Sequence, residues 1–222
     1  MQKACIFDLD GTLVDSMPSI AYFANRALTY YGLLPYEEKE YHSMVGWGAK
    51  HLVWEMLKRQ GIPETQTDLF DKVFRMYHDD YEENPSYLTV PYPHMVEIME
   101  KLSEMGFALG VFSNKPHETT RRIVKELFPA AYENCFGGRP GVPKKPDPTV
   151  LLELLKTLDI LPQNCLYFGD SEPDILMGHR AGVKTHAVLW GYRTKAQLQE
   201  AGATIFLTET QEILTLCEKE QN

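Results

Sequence analysis

The sequence has no C-x-x-C pair, no block of like charges, no low-complexity stretch and no internal repeat. It also lacks an apolar run long enough to span a bilayer, and a secretory-type apolar segment at its start. Each absence removes a class. Cys5, Cys135, Cys165 and Cys217 are scattered, which argues against a disulfide scaffold and for a reducing compartment. Cys5 and Cys165 lie in apolar runs and read as small core hydrophobes. The net charge is −9, with no basic footprint for a phosphate backbone, so nucleic acid is not expected as a partner. Without a spanning segment, no membrane partner and a cytoplasmic location are expected. An anionic substrate would have to be drawn in by a local positive site or a metal.

What is present begins with an aspartate pair. The segment "ACIFDLDGTLVDS" carries an apolar run, Ala4 to Phe7, into Asp8, Asp10, Gly11 and Thr12. On a strand, residues two apart project to the same face. Two carboxylates that close are unfavourable unless a positive group joins them, and a hard cation with oxygen ligands suits that role. An EF-hand calcium loop would need a closing Glu within about a dozen residues. Val14, Met17 and Ile20 make the continuation apolar instead. A magnesium-dependent site with a carboxylate nucleophile is therefore expected.

The rest of the chain alternates strand and helix signals. Met95, Ile98, Met99 and Leu102 fall at helical spacing before Gly106. "FALGVF" (Phe107 to Phe112) predicts a buried strand ending in Ser113, Asn114 and Lys115. Ile123, Val124 and Leu127 predict a helix closed by Pro129. Asp147 and Pro148 predict the start of a helix with Leu151, Leu154, Leu155 and Leu158 as its buried stripe. "CLYFGDS" predicts a strand leading to Asp170, then a helix ending at Gly182, then a strand over Val183 to Trp190. Thr194 with Gln197, and Thr208 with Gln211, predict capping boxes. This alternation predicts an α/β, Rossmann-like parallel sheet with helices on both faces, formed by residues 1–15 and 91–222. Residues 16–90 read as an inserted small all-helical cap. Ala49, Leu52, Val53, Met56 and Leu57 form one amphipathic face, and Phe70, Val73, Phe74 and Tyr77 another. Such a block is expected to act as a lid over the strand ends, where open α/β sheets bind ligands.

Four groups thus converge on one edge: Asp8, Asp10 and Thr12; Ser113 and Asn114; Lys144 and Lys145 of "GVPKKPDP"; and Asp170 with Asp174. With D-x-D-G-T, a strand-terminal Ser, Lys-Pro and G-D-S-x-x-D in this order, the chain resembles the haloacid dehalogenase superfamily in its phosphatase branch. The resemblance runs end to end, including "VLWGY" near 190 and "EAGATIFL" near 205. It is closest to phosphoglycolate phosphatases and related pyrophosphatases, whose cap loop "VGWGAKHL" resembles.

The resemblance implies that Asp8 attacks phosphorus and that Asp10 serves as general acid and base. It implies magnesium as cofactor, held by Asp8, the Asp10 backbone carbonyl and Asp170, with Asp174 acting through water. Thr12, Ser113, Asn114 and Lys145 are expected at the phosphate, Lys145 in preference to Lys144 because it precedes the proline. Trp47, Lys50 and His51 are candidates to touch the leaving group. The expected partner is a small anionic phosphate ester. A pyrophosphatase, a phosphomutase and a regulatory module without catalysis remain alternatives, and the sequence does not disclose an oligomeric state.

Overall fold

A computed structural model describes residues 2–221. In chain order the elements are β1 (Ala4–Phe7), β2 (Val14–Asp15), α1 (Met17–Tyr30), α2 (Glu38–Tyr41), α3 (Ala49–Arg59), α4 (Thr67–Glu83) and β3 (Val90–Pro91). There follow α5 (Met95–Glu104), β4 (Ala108–Pro116), α6 (His117–Leu127), β5 (Cys135–Gly138), α7 (Thr149–Thr157) and β6 (Cys165–Gly169). The chain ends with α8 (Glu172–Ala181), β7 (Lys184–Val188), α9 (Lys195–Glu200), β8 (Phe206–Leu207) and α10 (Glu212–Gln221).

The six strands β5-β4-β1-β6-β7-β8 form one parallel sheet in that order. The chain lays β4 and β5 on one side of β1, then crosses to lay β6, β7 and β8 on the other. β1 is therefore where the direction of winding reverses, and a crevice opens at the carboxyl ends of strands flanking such a point. Asp8 leaves β1 there, held by its N–H to the Phe168 carbonyl at 2.9 Å. Asp170 follows β6 beside it. Beneath them Phe7 and Phe168 stack with centroids 4.8 Å apart.

Both faces of the sheet are covered. Ile98, Met99 and Leu102 of α5 and Ile123 and Val124 of α6 pack with Phe7, Leu109 and Val111 on one face. Leu151, Leu154 and Leu155 of α7 and Met177 of α8 pack with Ile6 and Tyr167 on the other. All four cysteines are buried free thiols, and burial pushes those of Cys135 and Cys165 up to about 12. Among the described residues no helix is long and apolar enough to cross a membrane.

The segment between β2 and β3 is helical, and its apolar cluster runs from Met17 to Tyr81. The stripes of α3 and α4 predicted from sequence face into it. One residue from outside joins this cluster, Tyr192. The entry and exit of the segment are tied together where β2 and β3 pair antiparallel, Val14 opposite Pro91 and Asp15 opposite Val90.

Several local expectations are corrected. β4 starts one residue later than expected and keeps strand geometry through Ser113, Asn114 and Lys115 to Pro116, with its register against β5 shifting between Phe112 and Pro116. That irregularity re-aims side chains, as bulges near ligand sites do. Pro129 closes α6 as expected but also opens a 3₁₀ turn, Pro129–Asn134. Thr208 bonds the Glu212 carboxylate through both its N–H and its hydroxyl, not Gln211. The Thr194–Gln197 capping box is present.

Candidate active site

The strand ends enclose a cavity of about 60 Å³. Asp8, Asp10, Ser113, Asn114, Lys115, Asp170 and Arg193 line it from the sheet side, and Ile20, Val45, Gly46, Gly48, Leu52 and Tyr77 from the helical segment. Gly11 makes the floor possible. Its φ is +83°, and a β-carbon there would collide with the Asp170 carboxylate.

Asp8, Asp170 and Asp174 are all buried, and one oxygen from each lies within 4.8 Å of the others. An oxygen-only set of this kind suits magnesium. Burial, and next the charge of Asp174, raise the Asp8 carboxyl well above the usual range, with Lys145 opposing. The same two causes push Asp170 up to about 7. A divalent cation would remove that mutual repulsion, so the donor set fits the ion.

The third carboxylate is differently placed from the other two. Asp174 Oδ1 accepts from Lys145 Nζ and from the Tyr167 hydroxyl, each at 2.7 Å. Its Oδ2 accepts from the Ser171 N–H at 3.1 Å and from the Ser171 hydroxyl. Four donors fill the four lone-pair sites of a carboxylate. For Asp174 to meet an ion, directly or through a water, one of these donors has to give way.

Lys145 stands between the acids. Its ammonium is 2.8 Å from Asp8 Oδ1, 2.7 Å from Asp174 Oδ1 and 3.2 Å from the Tyr167 oxygen. Burial pulls the ammonium down, yet Asp174 and Asp8 together hold it above the usual lysine value. All three of its donors are occupied, and its neighbour Lys144 is exposed.

Other expected phosphate ligands are arranged differently. Ser113 lines the cavity. Thr12 is buried, and its hydroxyl donates to Asp170 Oδ1 at 3.2 Å. The Asn114 amide donates at 3.0 Å to the carbonyls of both Gly46 and Lys145, and its oxygen accepts from the Lys145 N–H at 2.9 Å. Thr12 and Asn114 thus hold the site's walls in place. Trp47, Lys50 and His51 are exposed and do not line the cavity. Trp47 sits beside His51, and Lys50 lies over Phe74.

Two residues of the site were missed in the sequence. Lys115 Nζ lies 3.0 and 3.3 Å from the Asp10 oxygens and 2.9 Å from the Tyr81 hydroxyl, which belongs to α4. Burial pulls its ammonium down, but Asp10 and then Tyr81 outweigh this and hold it above the usual value. Arg193 binds Glu172 through Nε at 2.8 and 2.9 Å and the carbonyls of His42 and Val45 through its two terminal nitrogens. It pins the helical segment to the sheet. Ser16 completes the surroundings of Asp10, its hydroxyl donating to Oδ1 at 2.5 Å.

The raised Asp170 carboxyl gives a stability prediction for the metal-free protein. Between about pH 4, the ordinary aspartate value, and about 7, the folded state keeps a proton that the unfolded chain releases. Stability contributed by this group is thus complete below about pH 4 and is lost as pH rises through 7. Asp170→Asn removes the burden and should be the more stable protein at pH 8 in a chelator, by roughly 2–4 kcal/mol. The gap should close toward pH 4. Chelated melting curves across this range check it, and parallel curves at all pH values would show that Asp170 carries no such cost.

A family model described as haloacid dehalogenase-like hydrolase matches residues 5–188. A phosphoglycolate phosphatase of Aquifex aeolicus is 37% identical over 191 residues, 86% of each chain. One of Neisseria meningitidis is 34% identical over 203 residues, 91% of this chain and 86% of its own length. The crystal structure of a predicted phosphoglycolate phosphatase from Haemophilus somnus superposes with a TM-score of 0.87 at 27% identity, covering 97% of this chain and 98% of that one.

Proposed function

This chain belongs to the haloacid dehalogenase-like hydrolase family, and we propose that within it the protein is a magnesium-dependent phosphatase that hydrolyses a small phosphomonoester of the phosphoglycolate type. The observation that carries the reading is the buried convergence of Asp8, Asp170 and Asp174, the first two of which line one small cavity together with Asp10. The relatives of Aquifex and Neisseria supply the substrate class.

Magnesium, when bound by Asp8, Asp170 and, through water, Asp174, would supply Lewis-acid stabilisation of charge on the phosphoryl oxygens. The chain's own groups do the rest. Asp8 Oδ1 accepts from the Leu9 N–H at 2.7 Å and from Lys145, which leaves Oδ2 to attack phosphorus. As the new O–P bond forms, the P–O bond to the leaving group breaks, and the Asp10 carboxyl gives its proton to the departing oxygen. Water then attacks the aspartyl phosphate, Asp10 takes a proton from it, and phosphate leaves with Asp8 restored. Lys145 offsets the charge on Asp8 throughout. Ser113 is placed to donate to a phosphoryl oxygen. Residues 16–90 act as the cap that closes over this chemistry and excludes bulk water.

The test is release of phosphate from an aryl phosphate, phosphoglycolate, a hexose phosphate and pyrophosphate, with saturating magnesium or with chelator. Magnesium-dependent release that favours phosphoglycolate is expected. Preference for pyrophosphate, or interconversion of hexose phosphates without release, would reassign the site to one of the other reactions.

A further inference from the structure

Four consecutive residues beyond β7, Trp190 to Arg193, each hold a different part of the site. The Trp190 indole donates to the Thr12 carbonyl at 3.0 Å, and the Thr12 hydroxyl in turn donates to Asp170 Oδ1. Gly191 lies so close to Asp170 that a β-carbon there would collide with the aspartate side chain and with the Gly11 carbonyl. The Tyr192 N–H donates to Asp170 Oδ2 at 2.8 Å. The Tyr192 hydroxyl accepts from the Ser16 N–H at 3.0 Å, where the chain enters the cap. Arg193 then reaches further into the cap. Its buried guanidinium donates to the carbonyls of His42 and Val45. Glu172, in the first turn of α8 and two residues past Asp170, holds the same guanidinium from the sheet side. The segment thus grips both oxygens of Asp170 at one end and the cap at the other.

A carboxylate that binds a metal depends on the partners that fix its orientation. For Asp170 these are the Tyr192 N–H and the Thr12 hydroxyl, one inside the segment and the other tied to it through Trp190. β7 ends at Val188, so no strand pairing carries the segment, and its side-chain contacts hold it in place. We infer that Arg193 is a positioning residue for Asp170: seated on the cap carbonyls it fixes residues 190–193, so that occupation of the metal site and closure of the cap favour one another. A lifted cap would take the His42 and Val45 carbonyls away and leave Arg193 with Glu172 alone. The hold on Asp170 would then loosen, and with it the affinity for the ion. By linkage, a cation at Asp170 favours the seated cap in return. The inference rests on the magnesium assignment of the proposed function.

The probe is magnesium alone, with no ester present. Calorimetric titration gives its dissociation constant, and hydrogen exchange read by mass spectrometry gives the protection of residues 42–48, the part of the cap that Arg193 holds. Both are taken well below each protein's melting point. Arg193→Ala should weaken magnesium binding by roughly 5–50-fold, the range of couplings between sites and of lost partners around a metal ligand. In wild type, magnesium should slow exchange across residues 42–48. In Arg193→Ala it should not. Arg193→Lys keeps a charge beside Glu172 but cannot hold both carbonyls. It should show part of the same loss, and it serves where the alanine variant does not fold. Magnesium bound equally well after loss of the arginine overturns the inference, as does loop exchange that ignores magnesium in wild type or still responds to it in Arg193→Ala. In each of these cases magnesium-dependent phosphate release would leave the proposed function standing. A wild-type protein that binds no magnesium would overturn both.

Discussion

Asp8→Asn should fold, melt no lower than wild type in chelator, and release no measurable phosphate from any ester. The amide is nearly isosteric with the carboxylate. Its oxygen can keep the Oδ1 position, accepting from the Leu9 N–H and facing Lys145, which retains Asp174 and Tyr167 as partners. Stability should hold because burial and Asp174 raise the Asp8 carboxyl in the folded state. A group with a raised folded pKa favours folding least at high pH, where it is charged in both states, so neutralising it relieves a cost at pH 8. Catalysis should not survive. A neutral amide has no anionic oxygen to attack phosphorus, and no other carboxylate in the cavity takes its place at the end of β1. The measurement is phosphate release by purified Asp8→Asn alongside its melting curve. Turnover above a small fraction of wild type in a protein that melts normally would mean that another group is the nucleophile.

Sequence legibility followed the range of the interactions. β1, the apolar stripes of α3, α4, α5 and α7, and the buried strand β6 rest on local periodicity and were readable from it. Asp8, Asp10, Lys145 and Asp170 sit at strand ends or in loops beside them, and their order along the chain announced them. Lys115 was within reach of the same reasoning. Residues two apart on a strand share a face, so Ser113 and Lys115 belong together once β4 is allowed to run on to Pro116. Taking only Ser113 and Asn114 from this strand end into the site left Lys115 out. Arg193 could not be found this way, because its carbonyl partners belong to His42 and Val45, about 150 positions earlier, and no pattern links them. Thr12 and Asn114 show a related limit. Their side chains have the right chemistry for phosphate, but only the fold reveals that Asp170, Gly46 and Lys145 already engage them. The exposed cap residues Trp47, Lys50 and His51 were singled out by their place in a loop, which carries no information about which way a side chain turns.

Asp10→Asn should separate two properties that Asp8→Asn leaves together. Activity toward an alkyl phosphate such as phosphoglycolate should fall by roughly 10²–10⁴-fold, the usual worth of general acid–base catalysis. The loss should be smaller for an aryl phosphate with a good leaving group, whose departure needs no proton. Binding of magnesium should persist, because the expected ligand from this residue is its backbone carbonyl. Unlike Asp8→Asn, this variant should also lose stability. The Lys115 ammonium is almost fully buried, and Asp10 is its only carboxylate partner among the described ion pairs. Removing one partner of such a pair leaves an uncompensated charge at about 3 kcal/mol. Tyr81 still accepts from the ammonium, which keeps the cost from rising further. Adding Lys115→Met to Asp10→Asn should therefore restore much of the melting temperature without restoring turnover, a non-additivity that marks direct coupling. The required data are melting curves, magnesium titrations and kcat/KM for both ester types in the single and double variants, taken well below each melting point. An Asp10→Asn protein that no longer binds magnesium would make the side chain a direct ligand. An equal loss for alkyl and aryl esters would remove Asp10 from proton transfer to the leaving group.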